Sequence, residues 1–200
     1  MKKLNYGLLL VSLIALGVFS SCCEKQEAVV SQKDVALSLI MDRKSVRNFI
    51  KERPVTKEDL ETVLRAGMAA PSGRDLRPWE LLVIDDREIL DKMATELTSA
   101  KMLADAPMAI VVCGDTIRSS YWFLDCSAVT QNILLAAEAV NLGAVWVASY
   151  PYRDRMDVVS SKVNMPANIL PLAIIPIGYP EGQHSVKDKY DEKKIHLNGW

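Results

Sequence analysis

From residue 35 to residue 178 the apolar positions switch repeatedly between helical spacing and short β-rich runs. Val35 to Met41 carries its apolar residues at helical intervals and predicts a first helix. Thr56 with Asp59 forms a variant of the capping box. It opens a helix through Met68 that turns Leu60, Val63 and Leu64 inward and stops at Pro71. Glu80 to Ile84 predicts a strand. Asp86 caps a helix running to about Leu97, and Met102-Leu103 marks a further turn. Ala109 to Cys113, bounded by Pro107 and Gly114, predicts a buried strand. Tyr121 to Val140 is apolar on most faces, which suits a helix buried in its own chain or in a subunit interface, and Gly143 stops it. Val145 to Val147 predicts a strand, Asp154 to Val163 a helix, and Leu172 to Ile177 a last strand before Gly178-Tyr179-Pro180. Roughly four strands and five or six helices imply an α+β or α/β domain, a sheet covered by helices.

The N-terminus follows a different pattern. Lys2 and Lys3 precede an apolar run from Leu8 to Phe19 and then Ser20-Ser21-Cys22-Cys23, the order of an export signal. That run falls short of the roughly 20 residues that span a bilayer. Cys22 after small residues resembles a lipoprotein lipidation site, although Phe19 stands where leucine is usual; a cleaved secretory signal and an uncleaved anchor are the alternatives. The expected division is a signal at 1–22, a polar tether at 23–33 and one domain at 34–200. The expected location is the bacterial cell envelope, with membrane contact through the lipid anchor only.

Composition narrows the chemistry. Without Lys2 and Lys3 the chain holds 22 basic and 25 acidic residues, a balance that gives no reason to expect nucleic-acid binding. Cys113 and Cys126 stand in apolar surroundings and suit buried free thiols. No Cys/His spacing suggests a metal. There is no GxSxG, GxGxxG or P-loop, and both histidines, His184 and His196, fall in the last twenty residues. A chain poor in reactive side chains fits chemistry carried by a cofactor.

Two polar segments are candidates for holding one. Arg43-Lys44-Ser45-Val46-Arg47 offers two guanidiniums, an ammonium and a small hydroxyl for a phosphate and a flavin carbonyl, with Val46 pointing the opposite way if the segment is extended. By themselves these five residues suit a solvated basic turn after a helix better than a ligand site. In Ala70 to Trp79, Pro71 and Pro78 restrict the backbone, Gly73 permits unusual dihedrals, and Ser72 and Asp75 offer acceptors to ring nitrogens. A structural loop is the plainer reading of that segment.

Taken in order with Asp125 through Gln131-Asn132-Ile133 to Leu142-Gly143, with Pro176 to Pro180 and with Lys187-Asp188-Lys189, these segments resemble the nitroreductase-like FMN-dependent oxidoreductases. The blocks span essentially the whole domain. The resemblance implies an α+β fold with a central mixed or antiparallel sheet, and an intertwined homodimer with two FMN at the subunit interface. Arg43, Lys44, Ser45 and Arg47 match the segment contacting phosphate, ribityl chain and pyrimidine edge. Pro71, Ser72, Gly73 and Asp75 match a segment reaching the partner's flavin. Lys101 matches a lysine near the flavin N1/O2 edge in some members, and with Arg43 it is a candidate electrostatic stabiliser. Ser149, Tyr150 and Pro151 match the loop under the flavin, while Gly178, Lys187 and Lys189 match the phosphate end. Two departures stand out: Asp75 replaces a common Asn, and Arg77 a common Gln. A carboxylate at the pyrimidine edge disfavours an anionic reduced ring unless Arg77 neutralises it.

The expected activity is hydride transfer from NAD(P)H to bound FMN, then reduction of a small-molecule acceptor such as a nitroaromatic or quinone, in a ping-pong cycle. The alternatives are an exported, non-catalytic flavin-binding lipoprotein, or a flavin enzyme of another reaction type on the same fold.

Overall fold

The computed structural model describes residues 31–200. The expected signal at 1–22 with Cys22, and residues 23–30 of the expected tether, lie outside the described residues. Gln32 and Lys33, expected in the tether, instead form the first turn of helix α1 (Gln32–Asp42).

Local chemistry explains most of the helix boundaries. In α2 (Lys57–Met68) the Asp59 N–H donates to Thr56 Oγ1 at 3.0 Å, and the Thr56 hydroxyl donates to the Asp59 carboxylate at 2.8 Å. Asp86 caps α3 (Arg87–Glu96) by accepting from the Glu88 and Ile89 N–H groups. Helix α4 (Trp122–Ala139) is the longest of the described helices, and α5 (Arg153–Val163) ends at Asn164 in the left-handed conformation.

The sheet contains β1 (Trp79–Ile84), β2 (Met108–Asp115), β3 (Gly143–Ala144), β4 (Val147–Ala148) and β5 (Ile169–Gly178). Its order is β1-β2-β5-β3, β4 also pairs with β5, and every ladder is antiparallel. The single strand expected at Val145–Val147 is two short ones. Ala144 pairs with Ile177 and Val147 with Ile174 in one register. Between them that register sets Val145 opposite Pro176, which has no N–H to give, so the ladder breaks there.

Residues alternate along the central strands and feed two apolar layers. Ile110 and Val112 of β2, with Ile175 and Ile177 of β5, pack beneath α2 and α4 against Val63, Val129 and Ile133. Val111 and Ile174 face the other way, toward Leu90 and Met93 of α3 and Val159 of α5. Helix α1 contributes no buried residue: Val35, Leu37, Ile40 and Met41 are all exposed. In the tail, Ile195, Leu197 and Trp200 are exposed as well.

Candidate functional site

The chain leaving α1 is fixed to the sheet by Val46. Its N–H donates to the Ala144 carbonyl at 3.0 Å, and its buried side chain lies where Gly143 has none; a Cβ there would stand 2.5 Å from Val46 Cγ1. Ser45 and Arg47, on either side, are exposed. Phe49, only 2% exposed, then packs with Val46, Ala106 and Met102, and forms an antiparallel bridge with Pro180. Hydrogen bonds from the Ile50 N–H to Tyr179 O and from the Glu181 N–H to Asn48 O, both 2.9 Å, seal the two segments together.

This pairing carries the tail back over the start of the domain. Arg43, Lys44, Ser45 and Arg47 on one side, and Lys187 and Lys189 on the other, line a cavity of about 410 Å³. Gln183, His184 and Ser185 complete the lining, which contains no carboxylate. Five cations around one cavity give it the chemistry to hold an anion. Arg43, Arg47, Lys187 and Lys189 form no ion pair among the described residues, whereas the Lys44 ammonium donates to Glu138 Oε1 of α4 at 2.5 Å. Neither Glu138 nor Gln183-His184-Ser185 was legible beforehand; the only signal for the latter was their place just before the two lysines.

The second polar segment lies at the other end of α4. Near the start of that helix, buried Asp125 accepts the Gly73 N–H at 2.8 Å and faces the Ser119 hydroxyl at 3.4 Å. The Arg77 N–H donates to Ser72 Oγ at 3.0 Å and closes the loop. Its left-handed residues are Arg74, Asp75 and Arg77, with φ of 55°, 56° and 48°. Gly73 is not among them, contrary to the sequence expectation. It is small for a different reason: a Cβ would stand 3.2 Å from the Tyr121 ring. Pro71 and Asp75 are exposed, and Ser72 half-buried.

Arg77 answers the charge question raised by Asp75. Its Nε and Nη2 donate to the two carboxylate oxygens at 2.7 and 2.6 Å. The hydrogen bonds from Arg77 hold the Asp75 carboxyl below the usual carboxylate range. The sign follows from that depression: the pair adds its small stabilisation at neutral pH and loses it as pH falls through the lowered value.

Ser149, Tyr150 and Pro151 also gather near the start of α4. The Tyr150 ring meets Trp122 edge-on at 4.9 Å and stacks on Phe123 at 5.8 Å. Ser149 is fully buried and its hydroxyl lacks a hydrogen-bond partner among the described residues. Lys101 is exposed on the turn Lys101–Ala104 and does not line the cation cavity, although its neighbour Met102 packs on Val46 and Phe49. Gly178 is buried at the end of β5, where a Cβ would meet Pro107 at 2.4 Å, so its role within the chain is close packing.

Cys113 and Cys126 are buried free thiols, pushed up to about 12 chiefly by burial. Native protein treated with iodoacetamide at pH 8 should therefore stay unlabelled at both, and urea should expose them; peptide mass spectrometry reads the result. Among the described residues no helix is long and apolar enough to cross a membrane, and no cluster of three or more His, Cys, Asp or Glu could hold a metal.

The family model described as "Nitroreductase family" matches residues 40–100 and 94–179. A protein of Methanothermobacter thermautotrophicus named "Putative NADH dehydrogenase/NAD(P)H nitroreductase" is 39% identical over 174 residues, covering 86% of this chain and 90% of the relative. A crystal structure of the same name from Bacteroides thetaiotaomicron is 58% identical, covers 83% of this chain and 98% of that one, and superposes with a TM-score of 0.81. An FMN-dependent nitroreductase from Clostridium difficile is 29% identical over 82% of this chain and 99% of that one, with a TM-score of 0.77.

Proposed function

This chain belongs to the nitroreductase family, and from that premise we propose that it works as an FMN-dependent NAD(P)H oxidoreductase, a homodimer with each flavin held between two subunits. The observation that carries the reading is the separation of the two candidate walls along one helix. Glu138, beside the cation cavity, lies sixteen residues beyond Trp122, beside the loops of Ser72 and Tyr150. At about 1.5 Å per residue that is roughly 24 Å, too far for both walls of one chain to close on a single ring. A second copy supplies the missing wall. Supporting this, Leu124 is exposed on α4 and α1 presents four apolar side chains to solvent, surface that monomers seldom leave uncovered.

The donor set fits FMN. The cavity's cations and its freedom from carboxylates suit a phosphate, and Ser45 adds a hydrogen bond close by. When bound, FMN supplies hydride acceptance from a nicotinamide and onward reduction of an acceptor such as a nitroaromatic or quinone. The chain's part is placement and charge. Arg43, Arg47, Lys187 and Lys189 hold the phosphate, Arg43 and Lys101 add positive potential for a reduced ring, and Arg77 keeps Asp75 from opposing it. No side chain is required as a proton donor.

Arg43→Ala should weaken FMN retention by about 1.5–3 kcal/mol, the range for hydrogen bonds to charged groups; equilibrium dialysis measures it. The activity is tested by anaerobic stopped-flow: NADH or NADPH should bleach the yellow protein, and an acceptor should restore the colour. Yellow protein left unbleached by either nucleotide would support the rival reading, a non-catalytic flavin-binding lipoprotein. A separate proposal rests on sequence alone: Cys22 is lipidated and tethers the domain to the cell envelope. Metabolic labelling with a fatty acid, lost in Cys22→Ser, tests it.

A further inference from the structure

Lys44 occupies two environments at once. It lines the cation cavity, and with Val46, Glu138, Asn141, Leu142, Gly143 and Pro180 it also lines a second cavity of about 150 Å³. Its ammonium, however, is committed to one side, on Glu138 at 2.5 Å, with both side chains about three-quarters buried or more (24% and 20% exposed). Glu138 sits in the last turn of α4, which is itself held in the core by Ile133, Leu134 and Ala137. The carboxylate is therefore the fixed member of the pair and the lysine the adjustable one.

Resting on the flavin reading above, we propose that Glu138 is a positioning residue that holds the Lys44 ammonium out of the anion cavity. The bound phosphate is then met by Arg43, Arg47, Lys187 and Lys189, and Lys44 is not one of its ligands. Five unneutralised cations around one cavity repel one another, and Glu138 cancels one of them from outside the lining. The segment does not depend on the pair for its path, because the Val46 N–H and side chain already anchor it to Ala144 and Gly143. The pair thus sets the charge of the cavity more than its shape, and Glu138 limits how tightly the cofactor is held.

The test is a double-mutant cycle on FMN affinity, read by flavin fluorescence with reconstituted apo-protein at several salt concentrations. Lys44→Met should stay within about threefold of wild type with the same salt slope, because Lys44 is not a phosphate ligand and the carboxylate it leaves behind lines the smaller cavity, not the cation cavity. Glu138→Gln should bind FMN about 3–10-fold more tightly, because it releases the Lys44 ammonium to turn into the cavity as a further cation beside the phosphate. A purely structural loss would not produce tighter binding. The double variant should return to the wild-type range, and urea midpoints of the apo-proteins should be non-additive.

If Lys44→Met weakens binding as much as Arg43→Ala and flattens the salt slope, Lys44 is a phosphate ligand and the proposal is overturned. It is equally overturned if Glu138→Gln tightens binding with or without Lys44, or if the urea shifts simply add. Failure of the flavin reading itself has another signature: wild-type protein that binds no FMN overturns both.

Discussion

Phe49→Ala is expected to lower stability by about 3–5 kcal/mol, the range for emptying a buried phenylalanine site. The ring is 2% exposed in a small cluster with Val46 and Ala106, with Met102 as its one partly buried cover. A cavity in so small a cluster has little nearby apolar material to collapse into it. The same residue pairs with Pro180, so the loss reaches both sides of the cation cavity. Urea denaturation measures the first effect and FMN retention of the folded fraction the second. A destabilisation below about 1 kcal/mol, typical of surface changes, would show that Phe49 is not the pin of this corner.

Asp125→Ala should cost about 1.5–3 kcal/mol through its hydrogen bonds to the Gly73 N–H and the Ser119 hydroxyl. The loop it holds contains three left-handed non-glycine residues, each disfavoured by roughly 1–2 kcal/mol, so it depends on its anchors. Asp125→Asn, which keeps an oxygen acceptor, should lose less. Amide hydrogen exchange from Gly73 to Leu76 should accelerate in Asp125→Ala. Unchanged exchange there would mean that the Ser72–Arg77 hydrogen bond is enough by itself.

What could be read from sequence was local. Thr56 with Asp59, and Asp86, set their helix starts through side chains reaching two or three residues along, and both caps form where expected. The alternation that buries Val46 between exposed Ser45 and Arg47 is equally local. Contacts between distant parts of the chain left no such trace. The break between β3 and β4 depends on which residue Pro176 faces, and so on the register with β5. The Lys44–Glu138 pair joins residues 94 apart, and nothing near either one announces the other. Gln183, His184 and Ser185 reach the cavity only because Phe49 and Pro180 pair. Gly73 suggested backbone freedom, but the space it leaves is for the Tyr121 ring, 48 residues further along the chain. Likewise, the placing of the two polar segments at opposite ends of α4 required the fold.

The central claim is that the cavity of Arg43, Arg47, Lys187 and Lys189 holds the phosphate of FMN, and comparison with riboflavin tests it most directly. Riboflavin carries the same ring without the phosphate. Equilibrium binding of both to the apo-protein should show FMN held at least about 30-fold more tightly, a modest return for several charge-assisted hydrogen bonds. Equal affinities, or no binding of either, would contradict the account.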